Sequence, residues 1–494
     1  MEEDEKRLVS NEDDNLTVYG STSNQPEETL VSDKDKDPTE NSSEDNTKEL
    51  NEIYELVGLG PAQYLYWILT VLVASSDYVE LTLLSVILPT LRCIWDLSYV
   101  FEAATTVAVY GSYAICAVVF GKIADKYGRK PVIKWATIVL MVAATAGAVS
   151  PNEWVFLLTR VLTGACVGVN ISCIACYCTE FSESRYRAHG SFIFSVSMKL
   201  GKVGVNVLAY LLLHVIGWRW FIIVCTIQAV PTLVMIIILP ESPRYLCANG
   251  QQDKAMKAIR CLARLNGKEL SDDLQVVCCS DQDSGSYSKL LSKEHKKSVI
   301  ALSVIYFSNI FVEYGLITLL PLLFSSDICG AGVAPEHICQ NLSQEDLAKL
   351  SIVTSTQIVA AVGALILALT VNRLVPLRVA IGFAVLSMMC FFVCVGPVFT
   401  LLTSVVIKMC IAVSNTLIWI MMPESFPTDI RSTAIGFING WGKLGGLLGA
   451  GCVYLLFYTN PYALIGLYSA VALIGFISSL VYDRETKGEE MKET

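Results

Sequence analysis

Ionisable side chains inside long apolar stretches are the first feature of this sequence that could do chemistry. A charged group at the centre of a bilayer costs about 2.5 to 3.5 kcal/mol on insertion scales, so each one indicates a functional or structural requirement. The candidate substrate-binding and ion-binding residues are Asp77, Glu80, Arg160, Lys199, Lys202, Glu313, Lys408 and Lys443. The excess of bases favours an organic anion as ligand, whereas the three carboxylates keep an organic cation as the alternative.

The acidic candidates fit two roles. Asp77 and Glu80 are three residues apart, so a helix places them on one face. With Glu313 they are candidates to bind substrate, and Glu80 or Glu313 is a candidate to carry a coupled proton. The competing interpretation is a structural ion-pair network that holds the helices together, for example Glu80 with Arg160.

Two basic candidates occupy equivalent positions in an internal repeat. A shift of 244 residues places Lys199 on Lys443. Two cations that face each other in a low-dielectric cavity favour an anionic ligand, because its charge relieves their mutual repulsion. The competing interpretation is pairing with Glu80 and Glu313, or extension of the ammonium groups towards the interface.

The elements that must position these residues are apolar runs of roughly 20 residues, the length that crosses about 30 Å of hydrocarbon. The chain of 494 residues is 53% hydrophobic and 17% charged, which excludes a purely soluble enzyme. The sequence predicts an all-α membrane protein with twelve transmembrane helices. We number them span one to span twelve, and the predicted ranges are 63–91, 101–121, 131–150, 153–178, 190–214, 219–239, 298–324, 350–371, 377–397, 399–422, 433–457 and 462–482.

The internal repeat predicts how these spans are arranged. The shift of 244 residues aligns 157–187 with 401–431 without a gap, and nine of the 31 aligned positions are identical. Matched charges inside apolar helices are rarely a coincidence of composition. We therefore expect two pseudo-symmetric six-helix bundles, 52–240 and 298–482, joined by a linker at 241–297 that contains an amphipathic helix at 252–265.

Several loop motifs carry a family resemblance. The segment after span two, 121–130, resembles the signature loop of the major facilitator superfamily, and 240–244 and 485–488 resemble the end motifs of its sugar porters. Segments 92–97, 217–220 and 307–309 resemble the synaptic vesicle 2-related branch, which is close to the organic cation and anion transporters. The resemblance covers about 52–488 and implies alternating access, with spans one, four, seven and ten lining the path. The second copy of the signature loop is reduced to 372–376, so its gate contacts are not carried over.

Charged helix ends and loop glycines form the predicted gate. We expect a salt-bridge latch that closes one side of the cavity and breaks when that side opens. Its candidate members are Gly121, Asp125, Gly128, Arg129, Glu180, Arg187, Glu241, Arg244, Glu424 and Arg431. The alternative is surface charge that only sets topology. Lys and Arg concentrate in the breaks after even-numbered spans, which predicts that both termini are cytoplasmic.

The loop between spans seven and eight carries two predicted modifications. Cys329 and Cys339 are candidates for a disulfide, because this loop falls on the lumenal or extracellular side, where thiols are oxidised. Asn341 begins an Asn-Leu-Ser acceptor sequence for glycosylation on the same side.

The acidity of the chain belongs to its N-terminal tail. The first 50 residues hold 16 acids and 5 bases, whereas the formal charge of the whole chain is −10. Segment 1–51 lacks apolar periodicity and predicts a disordered cytoplasmic tail that could bind trafficking partners; 483–494 is a second, shorter tail. The expected membrane is that of a vesicle, including the synaptic vesicle, or the plasma membrane.

The same sequence excludes several function classes. It holds 4 His with no metal-ligand spacing and has no phosphate-binding Gly loop, so we expect no cofactor, no metal, no nucleic acid partner and no enzymatic activity. The expected partners are membrane lipid, a small organic ion and a proton. The predicted function is secondary-active or facilitative transport by alternating access. A transport-inactive vesicle protein that acts in ligand sensing or trafficking is the alternative.

Overall fold

The fold is set by long apolar helices that cross a membrane. The computed structural model describes residues 47–181, 187–271, 274–277, 290, 292, 295–325, 342–393, 396–426 and 428–484. Within these ranges ten helical segments are long and apolar enough to span a bilayer, and Leu374–Cys390 is a shorter apolar helix. One of the ten, Phe192–Ile238, has 47 residues and breaks at Gly217, whose φ of 75° lies in the left-handed region. It therefore supplies two crossings, and the predicted twelve-span all-α architecture is confirmed.

The first six spans form the N-terminal bundle and the last six form the C-terminal bundle. The N-terminal spans are Pro61–Trp95, Tyr99–Tyr127, Arg129–Ala148, Glu153–Glu180, Arg187–Leu208 with its π-helical continuation Ala209–Leu213, and His214–Ile227, which contains the break at Gly217, with Ala229–Ile238. The C-terminal spans are Lys296–Ser325, Gln344–Thr370, Leu374–Cys390, Pro397–Glu424, Thr428–Phe457 and Pro461–Val481. Span two packs on span eleven and span five packs on span eight, which forms the interface between the bundles.

Helix starts on one side of the membrane carry side-chain caps. Ser98, Asn152, Ser343 and Asn460 accept a hydrogen bond from the first turn of spans two, four, eight and twelve. Each cap satisfies a backbone N–H that the helix leaves unpaired and contributes about 1 kcal/mol. We call this side the far side. The opposite side, where the linker lies, is the linker side.

Spans one and seven are the most enclosed elements. Their apolar windows are 89% and 83% buried, against 39% for span eight. Because they lie in the protein interior rather than in lipid, their acidic side chains need protein partners. These two spans therefore position the candidate site.

A small layer covers the linker side. Strand β1, Thr47–Glu49, pairs in parallel with strand β2, Gln275–Val277, and helix Leu50–Val57 follows β1. Helix Gln252–Leu265 occupies the range predicted for the amphipathic helix and buries its apolar face. The expected disordered tail overlaps this layer at 47–51, where pairing with a strand more than 200 residues away gives the chain a regular structure.

Candidate functional site

Glu313 holds the central ion cluster of the molecule. Its carboxylate pairs with Lys202 of span five, which belongs to the other bundle, and its Oε2 lies 3.6 Å from Nζ of Lys408 in span ten. Lys408 also donates to the Glu313 backbone carbonyl at 3.3 Å. All three side chains are almost completely buried. Two ammonium groups thus share one carboxylate, which leaves one excess positive charge at the interface of the bundles.

Glu80 forms a separate ion pair inside the N-terminal bundle. Arg160 Nη1, from span four, donates to Glu80 Oε2 at 2.9 Å, and Arg160 Nη2 donates to the Ala144 carbonyl at 3.4 Å. Both charged side chains are at most 5% exposed. The arrangement is the structural pair that sequence analysis gave as the competing interpretation.

Asp77 lies on the same face of span one but has different surroundings. Its Oδ1 accepts a hydrogen bond from Asn170 Nδ2 at 3.3 Å, and no side chain in the described ranges donates to its fully buried Oδ2. Asp77, Glu80 and Glu313 therefore sit in three distinct settings and do not share one cluster.

Lys199 and Lys443 each reach a hydroxyl of the opposite bundle. Lys199 Nζ lies 3.5 Å from Thr416 Oγ1 in span ten, and it also donates to Ser195 Oγ at 2.9 Å. Lys443 Nζ donates to Ser172 Oγ in span four at 3.3 Å. Thr416 and Ser172 are related by the same 244-residue shift as the two lysines. The pseudo-symmetry thus matches the acceptors as well as the donors.

A cavity borders the central cluster on its far side. Its volume is about 20 Å³, room for about one water molecule, and it receives side chains from both bundles. Lys202 and Lys408 line it, together with the hydroxyl and amide groups of Thr82, Asn206 and Thr354. Asn206 Nδ2 donates to Thr354 Oγ1 at 3.3 Å, which again joins the two bundles. Apolar side chains, among them Leu316, Leu320 and Leu350, form the rest of the wall, so the two cations are the charged groups of a mostly apolar cavity.

A contact on the far side was not foreseen from the sequence. Arg92, at the end of span one, lies with its guanidinium 4.4 Å from the ring centroid of Tyr458 and donates to the Tyr458 hydroxyl. Its Nε lies 3.9 Å from Glu102 Oε1. Because Tyr458 follows span eleven, this contact joins the bundles on the side opposite the linker.

The linker side carries two equivalent salt bridges. Arg129 pairs with Glu180 in the N-terminal bundle, and Arg373 pairs with Glu424 in the C-terminal bundle. The shift of 244 residues maps Arg129 on Arg373 and Glu180 on Glu424. Arg373 was not among the predicted latch residues because the motif around it is reduced, although the repeat offset places it opposite Arg129.

Other latch candidates surround the N-terminal salt bridge. Asp125 Oδ1 lies 3.2 Å from Arg129 Nη2. The Glu241 carboxylate accepts from the Lys130 backbone N–H at 3.2 and 3.3 Å. Burial raises the pKa of Glu241, and the hydrogen bonds from the backbones of Ser242 and Lys130 oppose this change.

Two further latch candidates have contrasting surroundings. Gly128 has a φ of 99°, and a Cβ there would collide with the Glu241 carboxylate, so glycine is required at this turn. Gly121 has open space around it. Arg244 lies 5.5 Å above the Tyr54 ring, and burial lowers its pKa.

Some candidates fall outside the described part of the chain. These are Cys329, Cys339 and Asn341, and the side chains of Arg187 and Arg431. Cys93 at the far-side end of span one and Cys247 on the linker side are disulfide-bonded. Among the described residues, no group of three or more His, Cys, Asp and Glu side chains could hold a metal ion.

This chain is similar in sequence and in fold to known membrane transporters. Residues 67–450 match the profile of the Major Facilitator Superfamily. The putative transporter svop-1 of Caenorhabditis elegans is 27% identical over 472 residues, covering 93% of this chain and 90% of that protein. The synaptic vesicle 2-related protein of Pongo abelii is 27% identical over 465 residues, covering 91% and 83%. The proton:xylose symporter XylE of E. coli has a similar fold, with a TM-score of 0.68, 16% identity and coverage of 87% and 97%.

These similarities confirm the resemblance found in the loop motifs. The profile match covers well over half of the chain, and both relatives align with nearly its whole length. The fold and the relatives are those of integral membrane transporters of small molecules and not of enzymes. The chain belongs to the Major Facilitator Superfamily.

Proposed function

We propose that this protein transports a small organic anion by alternating access of its two bundles. The observation that carries the proposal is the Lys202–Glu313–Lys408 cluster, in which two buried cations share one carboxylate beside a cavity. An arriving anion neutralises the excess charge and competes with Glu313 for the lysines. Because Lys202 and Glu313 belong to different bundles, this competition changes the contact that joins them.

The remaining charged residues take supporting roles in this proposal. Lys199 and Lys443 add positive potential on the linker side of the cluster and hold the bundles together through Thr416 and Ser172. The Glu80–Arg160 pair stabilises the N-terminal bundle. A coupled proton is taken up by Glu313 when its lysines turn to the substrate.

The proposal includes a vesicle membrane as the location of the protein and a cytoplasmic position for its linker side. The relatives named for synaptic vesicles support a vesicle membrane as the location. The basic residues near the linker support a cytoplasmic linker side and cytoplasmic termini. The Arg129–Glu180 and Arg373–Glu424 pairs then hold the cytoplasmic helix ends of each bundle together, so that each bundle moves as a rigid body.

Uptake into proteoliposomes tests the proposed transport. The purified full chain is reconstituted, and a panel of radiolabelled small organic anions and cations is offered with and without a pH gradient. We expect saturable uptake of anions. Replacement of Lys408 by Met should reduce uptake about tenfold or more, since a buried ligand charge is lost. Lys296→Met is the matched control, because Lys296 is exposed at the start of span seven.

Two outcomes contradict the proposal. Uptake of cations alone would assign the carboxylates, and not the lysines, to the substrate. If no member of the panel enters but ligands still raise the thermal stability of the protein, the chain acts in ligand sensing without transport.

A further inference from the structure

Aromatic side chains from both bundles meet beside the central ion cluster. The hydroxyls of Tyr78 in span one and Tyr314 in span seven lie 3.0 Å apart. The ring of Tyr110 in span two meets Tyr314 edge to face, with centroids 5.1 Å apart and an interplanar angle of 72°. All three residues are at most 6% exposed. The bundles therefore touch through tyrosines next to Glu313.

A second aromatic group lies nearer the linker side. Trp419 of span ten lies between Phe194 of span five, at 5.7 Å, and Tyr306 of span seven, at 6.2 Å. Both contacts are edge to face, at 75° and 88°. The Trp419–Phe194 contact again joins the two bundles.

Two of the lysines already face aromatic rings. Lys202 Nζ lies 5.2 Å from the ring centroid of Tyr78, and Lys443 Nζ lies 5.3 Å from that of Tyr113. Both distances are within the range in which a cation is attracted to a ring face. The interface thus places ammonium groups and flat apolar surfaces side by side. A ligand that combines an anionic group with a ring satisfies both.

The tyrosine contacts are suited to exchange with such a ligand. The Tyr78 and Tyr314 hydroxyls pair with each other across the interface, so separation of the bundles releases one donor and one acceptor. Ring edges that pack on a neighbouring ring can pack equally well on a ring of the ligand. Aliphatic ligands of the same size would lose these contacts.

We propose that the substrate is a small aromatic carboxylate. Its carboxylate binds Lys202 and Lys408 in place of Glu313, and its ring lies against Tyr78 and Tyr314. This inference rests on the proposed anion transport and adds the requirement for a ring.

Pairs of carboxylates that differ only in the aromaticity of their ring test whether the ligand must be aromatic. Binding of benzoate and cyclohexanecarboxylate, and of phenylacetate and cyclohexylacetate, is measured by calorimetry on the full chain in lipid nanodiscs. The members of each pair have equal charge and similar size. We expect the aromatic member to bind about tenfold more tightly, the sum of ring–ring and cation–ring contributions. Equal affinities within each pair overturn the aromatic inference and leave anion transport standing. Absence of binding by all four compounds contradicts both.

Two variants of Tyr314 distinguish the contribution of its ring from that of its hydroxyl. Tyr314→Leu removes both and should lower the aromatic preference about fivefold, whereas Tyr314→Phe keeps the ring and should retain the preference. Tyr462→Leu is the control, because Tyr462 is half-exposed and stacks on Phe392 away from the cluster. An aromatic preference that is unchanged in Tyr314→Leu and in the matching Tyr78→Leu variant overturns the inference.

Discussion

Glu80 and Glu313 occupy corresponding places in the two bundles, yet their partners differ in origin. Glu80 in span one pairs with Arg160 from its own bundle. Glu313 in span seven pairs with Lys202 from the other bundle and lies near Lys408 from its own. One carboxylate therefore holds a single bundle together, whereas the other joins two bundles.

This difference indicates which charged residues can respond to substrate. A pair inside one bundle keeps its geometry when the bundles move as rigid bodies. A pair between bundles has to change when they separate. We therefore assign stability to Glu80–Arg160 and ligand response to Glu313.

On the linker side, by contrast, the two bundles carry equivalent ion pairs. Arg129–Glu180 and Arg373–Glu424 are equivalent salt bridges, each inside its own bundle, and the four positions follow one repeat offset. Duplication has preserved these salt bridges and the Lys199–Lys443 correspondence, while the basic partners of the buried carboxylates have diverged. Lys408 corresponds to Gly164 and Arg160 corresponds to Ser404 under the same offset.

Loss of Arg160 should have the largest effect on folding. Arg160→Ala leaves Glu80 buried without a counter-charge, so we expect the free energy of unfolding to fall by about 3 to 5 kcal/mol. Thermal unfolding of purified protein in detergent measures this change. The double variant Glu80→Gln/Arg160→Met removes both charges and should recover most of the loss. A stable Arg160→Ala protein would break the proposed contrast with Glu313.

Loss of the Glu313 carboxylate should affect transport more than folding. In Glu313→Gln the two lysines remain but the charge that joins the bundles is absent, so uptake should fall about tenfold to hundredfold. Tm should fall less than in Arg160→Ala, since the isosteric glutamine keeps a hydrogen-bond acceptor for the two lysines. Equal losses of stability in the two variants would show that both carboxylates are structural.

Loss of either latch should have equal and smaller effects. Glu180→Gln and Glu424→Gln each remove a part-exposed salt bridge, which is worth about 1 kcal/mol. Tm should fall by a similar small amount in both variants, because each pair joins two helices within one bundle. A large effect in only one bundle would show that the two latches are not equivalent.

The pH dependence of Glu241 should be the smallest effect. Burial raises its pKa above the ordinary value of 4.5, so the folded chain binds more protons than the unfolded chain between 4.5 and the raised value. Stability should therefore fall as pH rises through that window and stay constant above it. Glu241→Gln should remove the dependence, a change in Tm of about 1 °C. An unchanged pH profile in this variant would show that another group titrates.

Much of the fold was predictable because bilayer thickness and hydropathy determine the spans. The repeat offset also identified the equivalence of Lys199 and Lys443. The same offset aligns Arg129 with Arg373 and Glu180 with Glu424, but the loop motif around Arg373 is reduced, so the pair was not predicted. Of the buried ion pairs among the described residues, only Glu80 with Arg160 was predicted from the sequence.

The partner of Glu313 could not be read from the sequence. Five buried bases were available, and the choice of Lys202 depends on the rotation and tilt of span five against span seven. Those angles arise from packing of the two bundles and not from any local pattern. The tyrosine contact between Tyr78 and Tyr314 was missed for the same reason.

Uptake of radiolabelled organic anions by three matched proteins tests the central claim most directly. The proteins are the wild type, Glu313→Gln and the double variant Glu80→Gln/Arg160→Met, reconstituted at equal density in proteoliposomes. We predict that the double variant keeps uptake within about threefold of the wild type, because replacing a buried pair by neutral side chains of similar volume is often tolerated. The Glu313→Gln protein should lose uptake. Retained uptake in Glu313→Gln, or an equal loss in the double variant, would contradict the account.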